Sequence, residues 1–201
     1  MKKSHLQYRL LKPFYNKEAK KMCNDFKNYI TKGDKVLDLG CGSGIVANKI
    51  KSTFKVQVKG IDIIDMREVD IPFEIYDGKD LSFIKDNEFD VVLISYVLHH
   101  TGDLENILSQ AKRIAKKHII IYEDLNEGFL GKFYCLLHGK LYDWVFLKNN
   151  IPARFLSEKE WKELFKELNL DLIHSKEKKY KLSFVKRKAF ILEKRVCSSA
   201  G

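Results

Sequence analysis

Apolar residues recur along this chain with two alternating periods. From Tyr8 to about Ile30, the residues Leu10, Leu11, Phe14, Tyr15, Ala19, Met22, Phe26 and Ile30 return at helical spacing among lysines, which predicts one or two amphipathic helices over residues 1–30. Thr31-Lys32-Gly33-Asp34 supplies a stop and a turn, and Lys35-Val36-Leu37-Asp38-Leu39 reads as a short strand. A helix is expected after Gly44, through Ile45, Val46, Ala47 and Ile50, followed by a strand from Lys55 to Asp62 and a brief one from Phe73 to Tyr76. Phe89 to Ser95 is apolar almost throughout, as a strand buried on both faces requires. A helix from about Leu104 to Ala115 leads to a further strand, His118 to Tyr122.

Strands alternating with helices over the first 125 residues predict a parallel sheet with helices on both faces. Beyond them lies an aromatic segment, Phe129 to Phe155. Next comes a helix that Ser157 can cap, with Glu160 three residues on and Trp161, Leu164, Phe165 and Leu168 on its buried side. Two candidate strands, Asp171-Leu172-Ile173-His174 and Ala189-Phe190-Ile191-Leu192-Glu193, can form a closing hairpin, and residues 197–201 read as a frayed tail. A length of 201 residues suits one domain rather than two, with residues 126–156 inserted after the fifth strand.

Composition narrows the class. A hydrophobic share of 45% excludes wholesale disorder. Cys23, Cys41, Cys135 and Cys197 are scattered, without the paired spacing of a zinc site, so no metal is expected. The amino terminus lacks the apolar core of a secretory signal and no run reaches membrane-spanning length, so the expected compartment is the cytoplasm. Thirty-seven Lys and Arg against 27 Asp and Glu give a formal charge of +10, which suits an anionic partner or a lysine-rich solvated surface.

The chemistry concentrates where strands end. Gly40, Gly42 and Gly44 follow the first strand, where a glycine turn lets the main chain approach a ligand beyond the sheet's carboxyl edge. Their Gly-x-Gly-x-Gly spacing differs from the dinucleotide fingerprint, but spacing alone separates the two only weakly. Asp62 ends the second strand, placed to accept two ribose hydroxyls, and Asp77-Gly78 follows the third, where a carboxylate and an amide can read the edge of adenine.

Val36-Leu37-Asp38-Leu39-Gly40-Cys41-Gly42-Ser43-Gly44, Gly60-Ile61-Asp62, Asp77-Gly78, Phe83 to Val92 and Ser95-Tyr96-Val97-Leu98-His99-His100 occur in the order that resembles the class I methyltransferase superfamily. The small-molecule branch, near the quinone-biosynthesis type, is the most similar. The resemblance covers roughly residues 30 to 125. It implies a Rossmann-like, doubly wound, seven-stranded and mostly parallel sheet with an antiparallel last strand. It also implies S-adenosylmethionine as cofactor, with Asp38 toward its ammonium, and Ile63 and Ser95 joining Gly40, Gly42, Gly44, Asp62, Asp77 and Gly78 as cofactor-binding residues. Lys116-Lys117-His118 replaces the family's Pro-Gly-Gly turn before the fifth strand.

Methyl transfer from a sulfonium rests largely on placement of the acceptor, and a base is optional. His100, after the fourth strand, is the first candidate to take a proton and Glu123 the second, with His99, Tyr122 and Asp124 nearby. The segment from Phe129 to Phe146 is expected to act as a lid over an apolar or aromatic acceptor, or to contact a membrane surface through its interleaved lysines. Lys176 to Lys181 and Lys186-Arg187-Lys188 invite a nucleic-acid reading, yet the fourth strand lacks the Asn/Asp-Pro-Pro-aromatic element of amino-group nucleic-acid methyltransferases. Three functions follow: methylation of a small, partly apolar molecule, methylation of RNA or protein through the basic hairpin, or a cofactor-binding partner subunit without catalysis.

Overall fold

The computed structural model describes residues 3–142, 153–178 and 185–195, with side chains from residue 12 and, in the segment after β5, up to residue 137. Seven strands form one sheet: β1 (Lys35–Leu39), β2 (Gln57–Asp62), β3 (Phe73–Ile75), β4 (Phe89–Ser95), β5 (Ala115–Leu125), β6 (Leu170–Lys178) and β7 (Lys186–Lys194). Their order across the sheet is β3-β2-β1-β4-β5-β7-β6. The first five run parallel, and β7 lies antiparallel to both β5 and β6. This is the doubly wound sheet with an antiparallel last strand that the resemblance implies.

Helices α1 (Lys3–Phe26) and α2 (Ile45–Phe54) cover one face, where Met22, Phe26, Ala47 and Ile50 meet Val36, Val91 and Ile120. Helices α3 (Leu104–Ile114) and α5 (Glu158–Glu167) cover the other, where Leu108, Ala111, Trp161 and Phe165 meet Leu37, Val92 and Phe190. Helix α4 (Phe129–Tyr142) follows β5. Local sequence sets the boundaries. Asp103 caps α3 by accepting the Asn106 amide, and Ser157 with Glu160 forms the expected capping box of α5.

One expectation narrows to one of its alternatives and two change. The amino-terminal segment forms one helix with Pro13 inside it. The second strand starts at Gln57, because Lys55 ends α2 in the left-handed conformation at φ 57°. The fifth strand runs from Ala115 to Leu125. Lys116-Lys117-His118 therefore enters the sheet directly from α3, with Lys117 paired to Asp34 at 2.6 Å and Asp90 at 3.2 Å. Trp144 and Phe146 of the aromatic segment, Lys179 to Lys181 of the basic run and the tail at Cys197 lie outside the described residues.

Candidate cofactor and acceptor site

β1 delivers Asp38 and the glycine turn to the place where the sheet order reverses, between β1 and β4, which is where open α/β sheets bind ligands. Gly40, Gly42 and Gly44 have φ of 74°, 50° and 71°. At Gly40 a side chain is excluded twice, by the backbone and because its Cβ would stand 2.4 Å from Cγ2 of Val97. The turn is tied to β2. The Gly40 and Cys41 amides donate to the Ile61 carbonyl at 2.8 and 3.1 Å, and the Gly42 amide donates to Oδ2 of Asp62 at 2.8 Å.

Asp38 is 1% exposed, and none of the described residues donates a hydrogen bond to either carboxylate oxygen. Burial, reinforced by the Asp62 charge, pushes its pKa up to about 7; the Ala47 amide pulls weakly the other way without reaching hydrogen-bond geometry. A buried carboxylate in that position fits a cationic donor such as the ammonium of S-adenosylmethionine.

Asp62 is also raised, chiefly by burial, against the opposing amides of Gly42, Ile63 and Ile64. Its Oδ1 accepts from the Ile63 amide at 2.7 Å. A carboxylate offers about four lone-pair positions, so Asp62 can hold the turn and still accept ribose hydroxyls. Asp77 is exposed, and its Oδ1 accepts from the Lys79 and Asp80 amides at 2.8 Å each; these amides hold its pKa below the ordinary range, Asp80 most strongly. Ile63, itself exposed, stands beside Gly78, where a Cβ would meet its Cγ2 at 3.0 Å.

Ser95 ends β4, half-buried and in register with Tyr122. Tyr96 then takes φ 58°, rare for a residue with a large side chain. Its amide donates to the Tyr122 carbonyl at 2.8 Å, and its ring centre lies 5.9 Å from the Arg187 guanidinium. This turn brings Val97 over Gly40.

Leu98–His100 forms a single 3₁₀ turn. Glu123 holds it from beneath: Oε1 accepts from the Val97 and Leu98 amides at 3.1 and 2.9 Å, and Oε2 lies 2.5 Å from Nδ1 of His99. His99 is buried, with its ring centre 4.4 Å from Phe155 and 4.0 Å from His100. His100 is half-buried at the rim. Glu123 and Asp124 thus lie inside β5 rather than after it. Glu123 is fully buried, while Asp124, on the opposite face, pairs with Nε of Arg187 at 2.8 Å. Tyr122 donates its hydroxyl proton to Asp25 at 2.8 Å.

The insertion after β5 begins and ends on this rim. The Asn126 amide donates to the Leu156 carbonyl at 3.0 Å, and the Arg154 amide donates to the His99 carbonyl at 2.9 Å. The structure therefore brings Asp38, the glycine turn, Asp62, Ser95 and the His99-His100 turn together, with Ile63, Asp77 and Gly78 flanking them beyond β2 and β3. Sequence reasoning missed Tyr96, Val97 and Phe155. Strand alternation continued from Ile119 and Ile121 would have placed Glu123 on a buried face.

Residues 6–175 match the family model described as a methyltransferase domain. The chain is 36% identical over 149 residues to an uncharacterized protein of Methanocaldococcus jannaschii, covering 71% of this chain and 66% of that protein. It is 33% identical over 97 residues to the 27-O-demethylrifamycin SV methyltransferase of Amycolatopsis mediterranei, covering 42% of this chain and 35% of that one. The chain thus spans about two thirds of the length of the first relative and about a third of the second. A SAM-dependent methyltransferase of Methanosarcina mazei shares the fold, with a TM-score of 0.65 at 18% identity over 85% of this chain and 97% of that one. Fold and family match together define a methyltransferase domain built on the class I sheet. The chain belongs to the methyltransferase domain family.

Proposed function

We propose that this chain transfers the methyl group of S-adenosylmethionine to a small, partly apolar acceptor seated beyond β4 and β5. The observation that carries this reading is the buried Asp38 carboxylate behind the glycine turn, which no described residue neutralises. The cofactor, when bound, supplies a methyl group on a positively charged sulfur. Asp38 would hold its ammonium, Asp62 its ribose hydroxyls, and Asp77 with Gly78 the edge of adenine, while Gly40, Gly42 and Gly44 let the main chain approach and Ile63 and Ser95 line the slot.

The acceptor must be aligned for in-line displacement, and alignment alone supplies much of the rate. His100 is the residue proposed to take the acceptor's proton. Glu123 is proposed as a positioning residue, fixing the turn and the orientation of His99 beside His100. The first residues of α4 and the returning Phe155 would wall the acceptor side.

The basic hairpin supports a small acceptor over a nucleic acid. Lys176 and Lys178 pair with Asp25, Lys186 with Glu127, Arg187 with Asp124 and Lys188 with Glu158. Charges neutralised within the protein are poorly placed to bind phosphates.

Calorimetric titration with S-adenosylmethionine, followed by labelled-methyl transfer into a metabolite extract, tests the proposal. Binding and transfer are expected, with His100→Gln lowering kcat and flattening the pH profile while cofactor affinity holds. Absence of binding overturns the reading, and binding without transfer to any acceptor leaves a non-catalytic partner subunit.

A further inference from the structure

Ten large apolar side chains stand exposed among the described residues, and five of them belong to α4: Phe129, Leu130, Phe133, Leu136 and Leu137. The other five are scattered from α1 to β6. Phe129 is 86% exposed, Phe133 61% and Leu136 59%, so these side chains are not the edge of a core.

At about 100° per residue, the five fall within an arc of roughly 120° along one side of the helix. The opposite side holds Gly131 and Cys135, both buried against the protein. Lys132 is exposed at one margin of the arc, where its stem can lie along apolar surface with its ammonium in a polar layer. A contiguous apolar stripe of this kind on a monomer marks a surface made to be covered.

We propose that α4 is an interfacial helix that seats the protein on an anionic lipid bilayer, with the five apolar side chains in the acyl boundary. Charge complementarity selects this occupant. The chain carries a formal +10, and Lys132 stands exposed beside the stripe, whereas Arg154 of the same insertion is already paired with Glu105. An anionic leaflet attracts that excess, and an aqueous partner of like composition does not. No helix among the described residues is long and apolar enough to cross a membrane, so the contact is peripheral.

The location gives the contact a use. Only three residues separate the end of β5 from the start of α4, at the rim where the acceptor is proposed to sit. An apolar acceptor dissolved in the leaflet would then reach the site without crossing water. That delivery role rests on the proposed acceptor class, whereas membrane binding itself does not and is tested without cofactor.

The test is co-sedimentation of the full chain with vesicles of phosphatidylcholine alone and of phosphatidylcholine mixed with phosphatidylglycerol. Binding is expected to the mixed vesicles and to weaken with salt. Phe133→Ser with Leu136→Ser should reduce it by at least about tenfold, since half-exposed Phe and Leu side chains lose most of their transfer free energy. Lys132→Glu should reduce it on anionic vesicles alone. Both variants alter exposed positions and should keep the thermal transition and S-adenosylmethionine affinity of the parent, which separates loss of the surface from loss of the fold or the cofactor site. The proposal is overturned if the parent stays in the supernatant with both vesicles, or if binding survives the double substitution. It is equally overturned if light scattering shows a dimer that the double substitution converts to monomer while vesicles capture nothing, because the stripe is then an interface between two copies.

Discussion

Asp38→Asn should make the protein more stable at neutral pH while removing its hold on the cofactor. The carboxyl is fully buried and its pKa rises from 3.8 to about 7 on folding, with burial the main cause and the Asp62 charge the second. A folded-state pKa above the unfolded one means that the native protein binds the extra proton. The stabilisation is complete below about pH 4 and is lost as pH rises through about 7. Three pKa units correspond to about 4 kcal/mol in total, of which about 2.5 to 3 kcal/mol disappears between pH 5 and pH 8. For a domain of this size that is a fall of roughly 5 to 10 °C in Tm. Asparagine keeps the shape and removes the ionisation, so this component of the pH dependence should vanish in the variant, while Asp62 and Cys41, which feel the Asp38 charge, lose its upward push. Thermal melts of both proteins from pH 5 to 8, taken as a difference, isolate it. Calorimetry should show S-adenosylmethionine binding lost in the variant, since the amide cannot match a buried carboxylate facing an ammonium. A variant whose stability falls with pH as steeply as the parent's, or one less stable than the parent at pH 8, would refute the reasoning.

The same carboxylate predicts that cofactor affinity in the parent protein rises between pH 5.5 and 7, approaching tenfold per pH unit at the acid end, measurable by titration calorimetry. Gly40→Ala should cost about 2 to 4 kcal/mol by urea unfolding, because it adds a left-handed alanine and a Cβ clash with Val97; pairing it with Val97→Ala should recover part of that loss. Glu123→Ala leaves two buried amides and His99 without their acceptor and should destabilise by about 3 to 5 kcal/mol, whereas Glu123→Gln, which keeps one carbonyl oxygen for the amides, should cost less than half as much in the same assay.

Patterns that repeat along the chain were legible before the structure. The unbroken apolar run of β4, the Ser157–Glu160 capping box and the carboxylates at the ends of β1, β2 and β3 each depend on neighbours close in sequence, so spacing was enough to place them. What depends on distant residues was not. Nothing around Glu123 shows that its oxygens meet amides 25 and 26 residues earlier. The fifth strand looked short because Lys116, Lys117, Glu123 and Asp124 are charged, and the partners of the last three, Asp34, Asp90, His99 and Arg187, come from other strands and turns. Tyr96 was hidden for a different reason. A left-handed backbone is announced by glycine or asparagine, and here the packing of its ring between Tyr122 and Arg187 holds a tyrosine in that conformation.

The hydrogen bond from Asn126 to Leu156 pinches the insertion shut at its base, and that closure insulates the rest of the molecule from whatever lies between. Because the two ends stay together, lengthening the intervening chain changes closure entropy by only about 0.6 kcal/mol per doubling, a small amount beside the stability of the sheet. Between its rim contacts at Glu127 and at Arg154 and Phe155, the insertion can therefore change in length at little cost while Asp38, Asp62 and the glycine turn keep their places. Within one fold, the part that grips the cofactor and the part that selects what is brought to it can evolve at separate rates.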